Sequence, residues 1–150
     1  MSRVTVAALE RFLREVDGTF PVPISEKQDL GDYARKLCDR ATLCVETDAD
    51  GERIVALVAG YTENVIDSRA YISLVATVPD AQGRGFGKRL TREFVSVAAD
   101  KGLDAVHLYA VPTNTPAVSM YKKLGFEEWI RPDEPRPQDL HLIYRIKKED

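Results

Sequence analysis

In the stretch QGRGFGKRL, Gln82 to Leu90, glycine stands at positions 83, 85 and 87, between an apolar, β-branched run (AYISLVATV) and a basic run with helical spacing. Glycine inside a helix or strand destabilises it by roughly 0.5–1 kcal/mol relative to alanine, so three so close together call for a backbone reason. A strand that ends in a glycine-rich loop and opens a helix presents unpaired backbone N–H groups at the positive end of that helix, where an anion is stabilised. With no side chain at Gly83, Gly85 and Gly87, a phosphate can reach the amides, and Arg84, Lys88 and Arg89 add charge around it.

Spacing argues against two phosphate loops. A Walker loop needs four residues between its first glycine and Gly-Lys, followed by Ser or Thr, whereas three residues separate Gly83 from Gly87 and Arg89 follows Lys88. A dinucleotide fingerprint begun at Gly83 meets Lys88 where glycine or alanine belongs, and one begun at Gly85 fails at Leu90. Taken alone, the loop is also compatible with a glycine-rich turn that binds nothing.

The periodicity around the loop sets its frame. Val6, Leu9, Phe12, Leu13 and Val16 line one face of a helix over Val4 to Val16, and GTFPVPIS breaks it. A second helix is predicted over Glu26 to Arg40, then two strands joined at DADG, where Asp-Gly favours a hairpin turn. AYISLVATV is a buried strand, Lys88 to Asp100 a helix, LDAVHLYAV a strand, and TPAVSMYKKLG a short helix with Pro116 in its first turn and Gly125 at its end. FEEWI and DLHLIYRIKK close the chain as strands around the proline-rich RPDEPRPQ. The expectation is an α/β fold: a mixed central β-sheet flanked by helices, one domain over residues 1–150.

With 21 basic and 24 acidic residues the net charge is -3, which gives no global footprint for nucleic acid or an anionic membrane. Neither is expected as a partner. The charged N-terminal stretch lacks the apolar core of a signal peptide, no run is long enough to span a bilayer, and Cys38 and Cys44 read as reduced thiols, so a cytoplasmic location is expected. His107 and His141 lie far apart without the local company of a metal site, and no metal is expected.

The second half of the chain narrows the choice. QGRGFG resembles the Gln/Arg-x-x-Gly-x-Gly/Ala signature of the GNAT superfamily of N-acetyltransferases, here as Gln82, Gly85 and Gly87. About thirty residues further on, NTPAVSMYKKLGFEE is similar to that family's next motif, with Asn114, Ala117, Tyr121 and the closing Leu124-Gly125-Phe126. The approach LVATVPDAQ also matches, with Thr77 where valine is common. The resemblance is close from about Tyr71 to Trp129 and extends to the first seventy residues only in element order.

The resemblance implies a single-domain acetyl-CoA-dependent N-acetyltransferase that works by direct transfer in a ternary complex. The loop from Gly83 through Arg84, Gly85, Phe86 and Gly87 to Lys88, with Gln82, would hold the pyrophosphate of acetyl-CoA, and exposed main chain at Val75, Ala76 and Thr77 the pantetheine arm. Asn114 and Ala117 would line the same site, Asn114 serving equally as a helix cap. Tyr121, almost two turns beyond Asn114, would be the general acid; its alternative is packing. A carboxylate should take the proton of the amine, with Glu63 the first candidate and Asp67 behind it. Tyr33, Tyr61, Tyr71, Trp129 and the loop Arg131 to Asp139 are candidate linings of the acceptor pocket. The acceptor would be a small-molecule or peptide amine, and the family leaves room for a homodimer. The rival is a degenerate fold that senses acyl-CoA or serves as an interaction module; retention of both the loop and Tyr121 weighs against it.

Overall fold

A computed structural model describes residues 4–146. Helix α1 (Val6–Val16) starts where the Thr5 hydroxyl accepts from the Ala8 N–H at 3.1 Å, and it buries Leu9, Phe12, Leu13 and Val16, the stripe read from the sequence. Helix α2 (Leu30–Arg40) starts four residues later than expected. Asp29 takes the cap position, its carboxylate accepting from the Asp32 N–H at 2.9 Å, and Ile24–Glu26 forms only one 3-10 turn.

The strands β1 (Thr42–Thr47) and β2 (Ile54–Tyr61) form the expected hairpin, with Gly51 at φ +75° in its turn. Then follow β3 (Arg69–Thr77), α3 (Phe86–Asp100), β4 (Ala105–Ala110), α4 (Thr115–Leu124), β5 (Glu127–Glu128) and β6 (Leu140–Arg145). The sheet order is β1-β2-β3-β4-β6-β5, with β3 and β4 parallel across the α3 crossover and the other neighbours antiparallel. This is the mixed α/β sheet that the pattern required. The strand expected over FEEWI shortens to two residues: the Trp129 N–H still reaches the His141 carbonyl at 2.8 Å, and the proline-rich loop then leaves the sheet. Lys147 and Lys148, assigned to the last strand, lie outside the described residues.

Two apolar layers cover the sheet. On one face α1 and α2 pack over Leu57, Ala59, Leu74 and Ala76. On the other, Leu90 and Phe94 of α3 and Tyr121 of α4 pack over Val58, Ala70, Ile72, Val106, Leu108 and Leu142.

One irregularity in β3 shapes the molecule. Along β2, Ala59 pairs with Leu74 but Gly60 pairs with Ile72, so Ser73 is an extra residue, a β-bulge. The bulge reverses the alternation, for Ala70 and Ile72 face α3 whereas Leu74 and Ala76 face α1 and α2. Gly60 permits it. A Cβ there would stand 2.2 Å from the Tyr71 carbonyl oxygen and 2.7 Å from the Phe94 ring. The parallel pairing of β3 with β4 stops at the same point, Ile72 opposite Leu108, while β4 continues to pair with β6 as far as Ala110. The sheet is therefore split from the bulge onward.

Candidate active site

The split is a cleft of about 570 Å³, walled by Ile72 to Thr77 of β3, Leu108 to Val111 along β4, and Asn114, Ala117 and Tyr121 at the start and along the inner face of α4. Val75, Ala76 and Thr77 are held on one side by β2, and their other edge has no strand partner among the described residues. An unpaired edge of this kind offers N–H and C=O groups to an extended ligand. Gln82 lines the same cleft, its amide donating to the Thr77 carbonyl at 3.4 Å.

At the mouth of the cleft the chain turns through Gly83 and Gly85, at φ +84° and +80°, into α3. An added Cβ at either would meet no atom of the described residues within 4 Å, so these glycines answer to backbone angle and to the space above them. Gly87 is different. Its Cβ would make ordinary contacts with Met120 at 3.7 Å and Val75 at 3.8 Å, in keeping with a family signature that accepts alanine there. Among the described residues no side chain caps α3, and its first turn carries no acidic residue, which leaves the amides of Phe86, Gly87 and Lys88 for an anion. Of the basic side chains, Arg84 donates to the Asp80 carbonyl at 3.5 Å and Arg89 pairs with Glu46, whereas Lys88 has no ion pair among the described residues.

Asn114 caps α4, accepting from the Ala117 N–H at 3.4 Å, and it also lines the cleft. Tyr121 is 6% exposed, with its ring against Phe126 at 5.8 Å between centroids. Its hydroxyl has no hydrogen-bond partner among the described residues, yet no buried side-chain polar atom there is left unpaired, so this oxygen opens on the cleft. Burial pushes its pKa up to about 12, which keeps the phenol protonated across the neutral range.

A second concavity, about 1310 Å³, adjoins the first, and Tyr109 lines both. Tyr61, Tyr71, Arg131 and Pro135, candidate acceptor linings from the sequence, border it together with Glu63 and Asp67. Tyr33 packs against the α1 and α2 core, with Ser73, Tyr61 and Tyr71 near its hydroxyl. Trp129 lies edge-on to His107, between the guanidinium groups of Arg69 and Arg131, 4.7 and 4.6 Å from its ring centre. Glu63, 72% exposed, is paired with Lys101 at 2.8 Å, and that hydrogen bond and charge hold its carboxyl below the usual range. Asp67 pairs with Arg69 at 3.1 Å.

The sequence reading missed the company the histidines keep. His107 Nδ1 lies 2.8 Å from His141 Nε2, and His141 Nδ1 lies 2.7 Å from Glu134 Oε2. The Tyr109 hydroxyl at 2.6 Å and the Arg136 N–H at 3.2 Å donate to the other oxygen of Glu134. Burial alone would raise the Glu134 carboxyl, but these hydrogen bonds outweigh it and bring the pKa to about 2. Burial, the neighbouring His141 and the cations Arg69 and Arg131 lower His107 to about 4. The available signal was the alternation His107-x-Tyr109, which puts both on one face of a strand; the register that sets His141 opposite Tyr109 was not readable.

The chain is similar to mycothiol acetyltransferases from Arthrobacter sp. strain FB24 (50% identity over 58 residues, 39% of this chain and 18% of the relative) and Clavibacter sepedonicus (32% over 102 residues, 67% of this chain and 32% of the relative). It thus spans from about a fifth to a third of the length of these curated relatives. In fold it is similar to a GNAT-family acetyltransferase from Staphylococcus aureus Mu50 (TM-score 0.76, 14% identity, covering 98% of this chain and 96% of that one). It is equally similar to aminoglycoside 6'-acetyltransferase type Ii (TM-score 0.76, 12% identity, 100% and 97%). Residues 9–126 match the acetyltransferase (GNAT) family. The chain belongs to that family, whose members use acetyl-CoA.

Proposed function

We propose that the protein is an N-acetyltransferase that moves an acetyl group from acetyl-CoA to a primary amine by direct attack in a ternary complex. The observation that carries this reading is the split sheet, with an uncapped helix N-terminus at one end and an unpartnered tyrosine hydroxyl along its wall. Acetyl-CoA supplies an acetyl thioester. In this reading the amides from Gly83 to Lys88 bind its pyrophosphate with help from Arg84 and Lys88, Val75 to Thr77 hold its pantetheine arm as an added strand would be held, and Gln82, Phe86, Asn114 and Ala117 shape the walls.

Tyr121 donates its proton to the departing sulfur, whose parent thiol has a pKa of about 8.5. The acceptor enters from the basin bounded by Tyr71, Tyr109 and Arg131. Glu63 and Asp67 stand on the rim of that basin, paired with Lys101 and Arg69 in a lining that also holds Lys36, Arg40 and Arg131; because Lys101 lowers the basicity of Glu63, we assign Glu63 to orienting the amine by accepting its N–H. Glu63→Gln should then lower kcat/KM a few-fold, chiefly through KM. The mycothiol acetyltransferase relatives support the same reaction class, with the acceptor left at the level of an amine.

Direct attack also suits the thiols. Cys44 is buried, which pushes its pKa up to about 12, and Cys38 is raised too, first by burial and then by Asp39, so neither is an activated nucleophile. Initial rates of thiol release over a grid of acetyl-CoA and amine concentrations test the reading. Intersecting reciprocal plots are expected. Parallel plots would replace direct attack by an acyl-enzyme.

A further inference from the structure

We propose that His107 is the base that takes the proton from the attacking amine, and that His141 and Glu134 complete a relay which carries that charge away from the reacting centre. The proposal rests on the acetyl-transfer reading and names the proton acceptor for the same site.

The hydrogen bonds fix the direction of the relay. The Glu134 carboxylate only accepts, so His141 carries its proton on Nδ1 and offers a bare Nε2 to His107. His107 must then be protonated on Nδ1, which leaves its own Nε2 bare. That nitrogen has no hydrogen bond among the described residues, and His107 lines the basin from which the amine arrives. Position agrees with role. His107 pairs in register with Tyr71, one step before β3 and β4 part, and Tyr109, two residues on, borders both basin and cleft.

Electrostatics explains why two histidines are needed. His107 is faced by Tyr71 and Arg69 from β3, by His141 from β6, by Arg131 and Glu134 from the loop before β6, and by Tyr109 on its own strand. The two arginines make a lasting positive charge on His107 unfavourable. His141 lies on the far side of His107 from the basin, 4% exposed, with the Glu134 carboxylate 2.7 Å from its Nδ1. The amine reacts in its neutral form, its ammonium proton having first passed to water in the basin; as the bond from nitrogen to the acetyl carbon forms, one further amine N–H breaks and that proton bonds to His107 Nε2. The His107 Nδ1 proton moves to His141 Nε2, and His141 becomes an imidazolium paired with Glu134. Tyr121 supplies the proton that the sulfur takes. After product leaves, the relay returns its proton through His107 to water in the basin, and Tyr121 recovers one from solvent.

The test uses the full chain with acetyl-CoA and three amines: glucosamine, spermidine and a tetrapeptide with a free N-terminus. With the best of them, His107→Gln should lower kcat by about 10² or more, with acetyl-CoA affinity unchanged, and imidazole should restore part of the rate to His107→Ala. His141→Gln and Glu134→Gln act through His107, and each should shift the acidic limb of the kcat profile. A readout free of turnover is the imidazole nitrogen NMR spectrum at neutral pH. It should report both rings protonated on Nδ1, and Glu134→Gln should mix the tautomers. His107→Gln within a few-fold of the parent, an acidic limb removed by Glu63→Gln instead, or His107 protonated on Nε2 would each overturn the relay alone. A parent that releases no thiol with any of these amines would overturn the acetyl-transfer reading and the relay with it.

Discussion

Tyr121→Phe should lower turnover by about 10² to 10⁴, the usual worth of a positioned general acid, while coenzyme affinity and melting temperature hardly move. The ring supplies the packing: Tyr121 is buried against Phe126, and phenylalanine keeps that contact. The hydroxyl makes no hydrogen bond among the described residues, so its removal leaves no partner unsatisfied. What is lost is the proton alone, held on the phenol by burial until a developing thiolate takes it. Melting temperature, coenzyme titration and initial rate on the one variant decide the matter. A rate within a few-fold of the parent would remove the acid role, and a large drop in melting temperature would show a structural hydroxyl instead.

Gly85→Glu should weaken acetyl-CoA binding at least a hundredfold, about 2.7 kcal/mol or more. Two effects combine. At φ +80° an L-residue is strained by roughly 1–2 kcal/mol, a cost to the loop. The new carboxylate then occupies space empty of protein atoms, beside the uncapped end of α3, where the pyrophosphate is proposed to lie. Two unit charges 4 Å apart repel by about 4 kcal/mol at an effective dielectric of 20. Calorimetric titration of the folded variant against the parent reads the effect; equal affinities would abolish the phosphate cradle.

Legibility in the sequence followed the physics of each feature. Helix stripes and the Asp-Gly hairpin are local, and α1, the hairpin and α4 appear where periodicity put them. The glycine loop was readable because positive φ and vacancy are demands that few residues besides glycine meet. By contrast, the Ser73 bulge was hidden. It depends on Gly60 of the neighbouring strand lying against the Tyr71 carbonyl, a contact between strands that no local pattern encodes. The partnership of His107, His141 and Glu134 was hidden for the same reason, since it needs the β4 and β6 register and the fold-back of a proline-rich loop. Glu63 stands just beyond β2, and its position along the chain could not reveal Lys101 beside it.

The most direct measurement is a mass spectrum of the amine recovered after incubation with acetyl-CoA and the full chain, with free thiol counted in the same sample. One acetyl group on the amine nitrogen for each thiol released is the expected result. Thiol released without an acetylated amine, or an unchanged amine beside intact acetyl-CoA for every acceptor tried, would contradict the account.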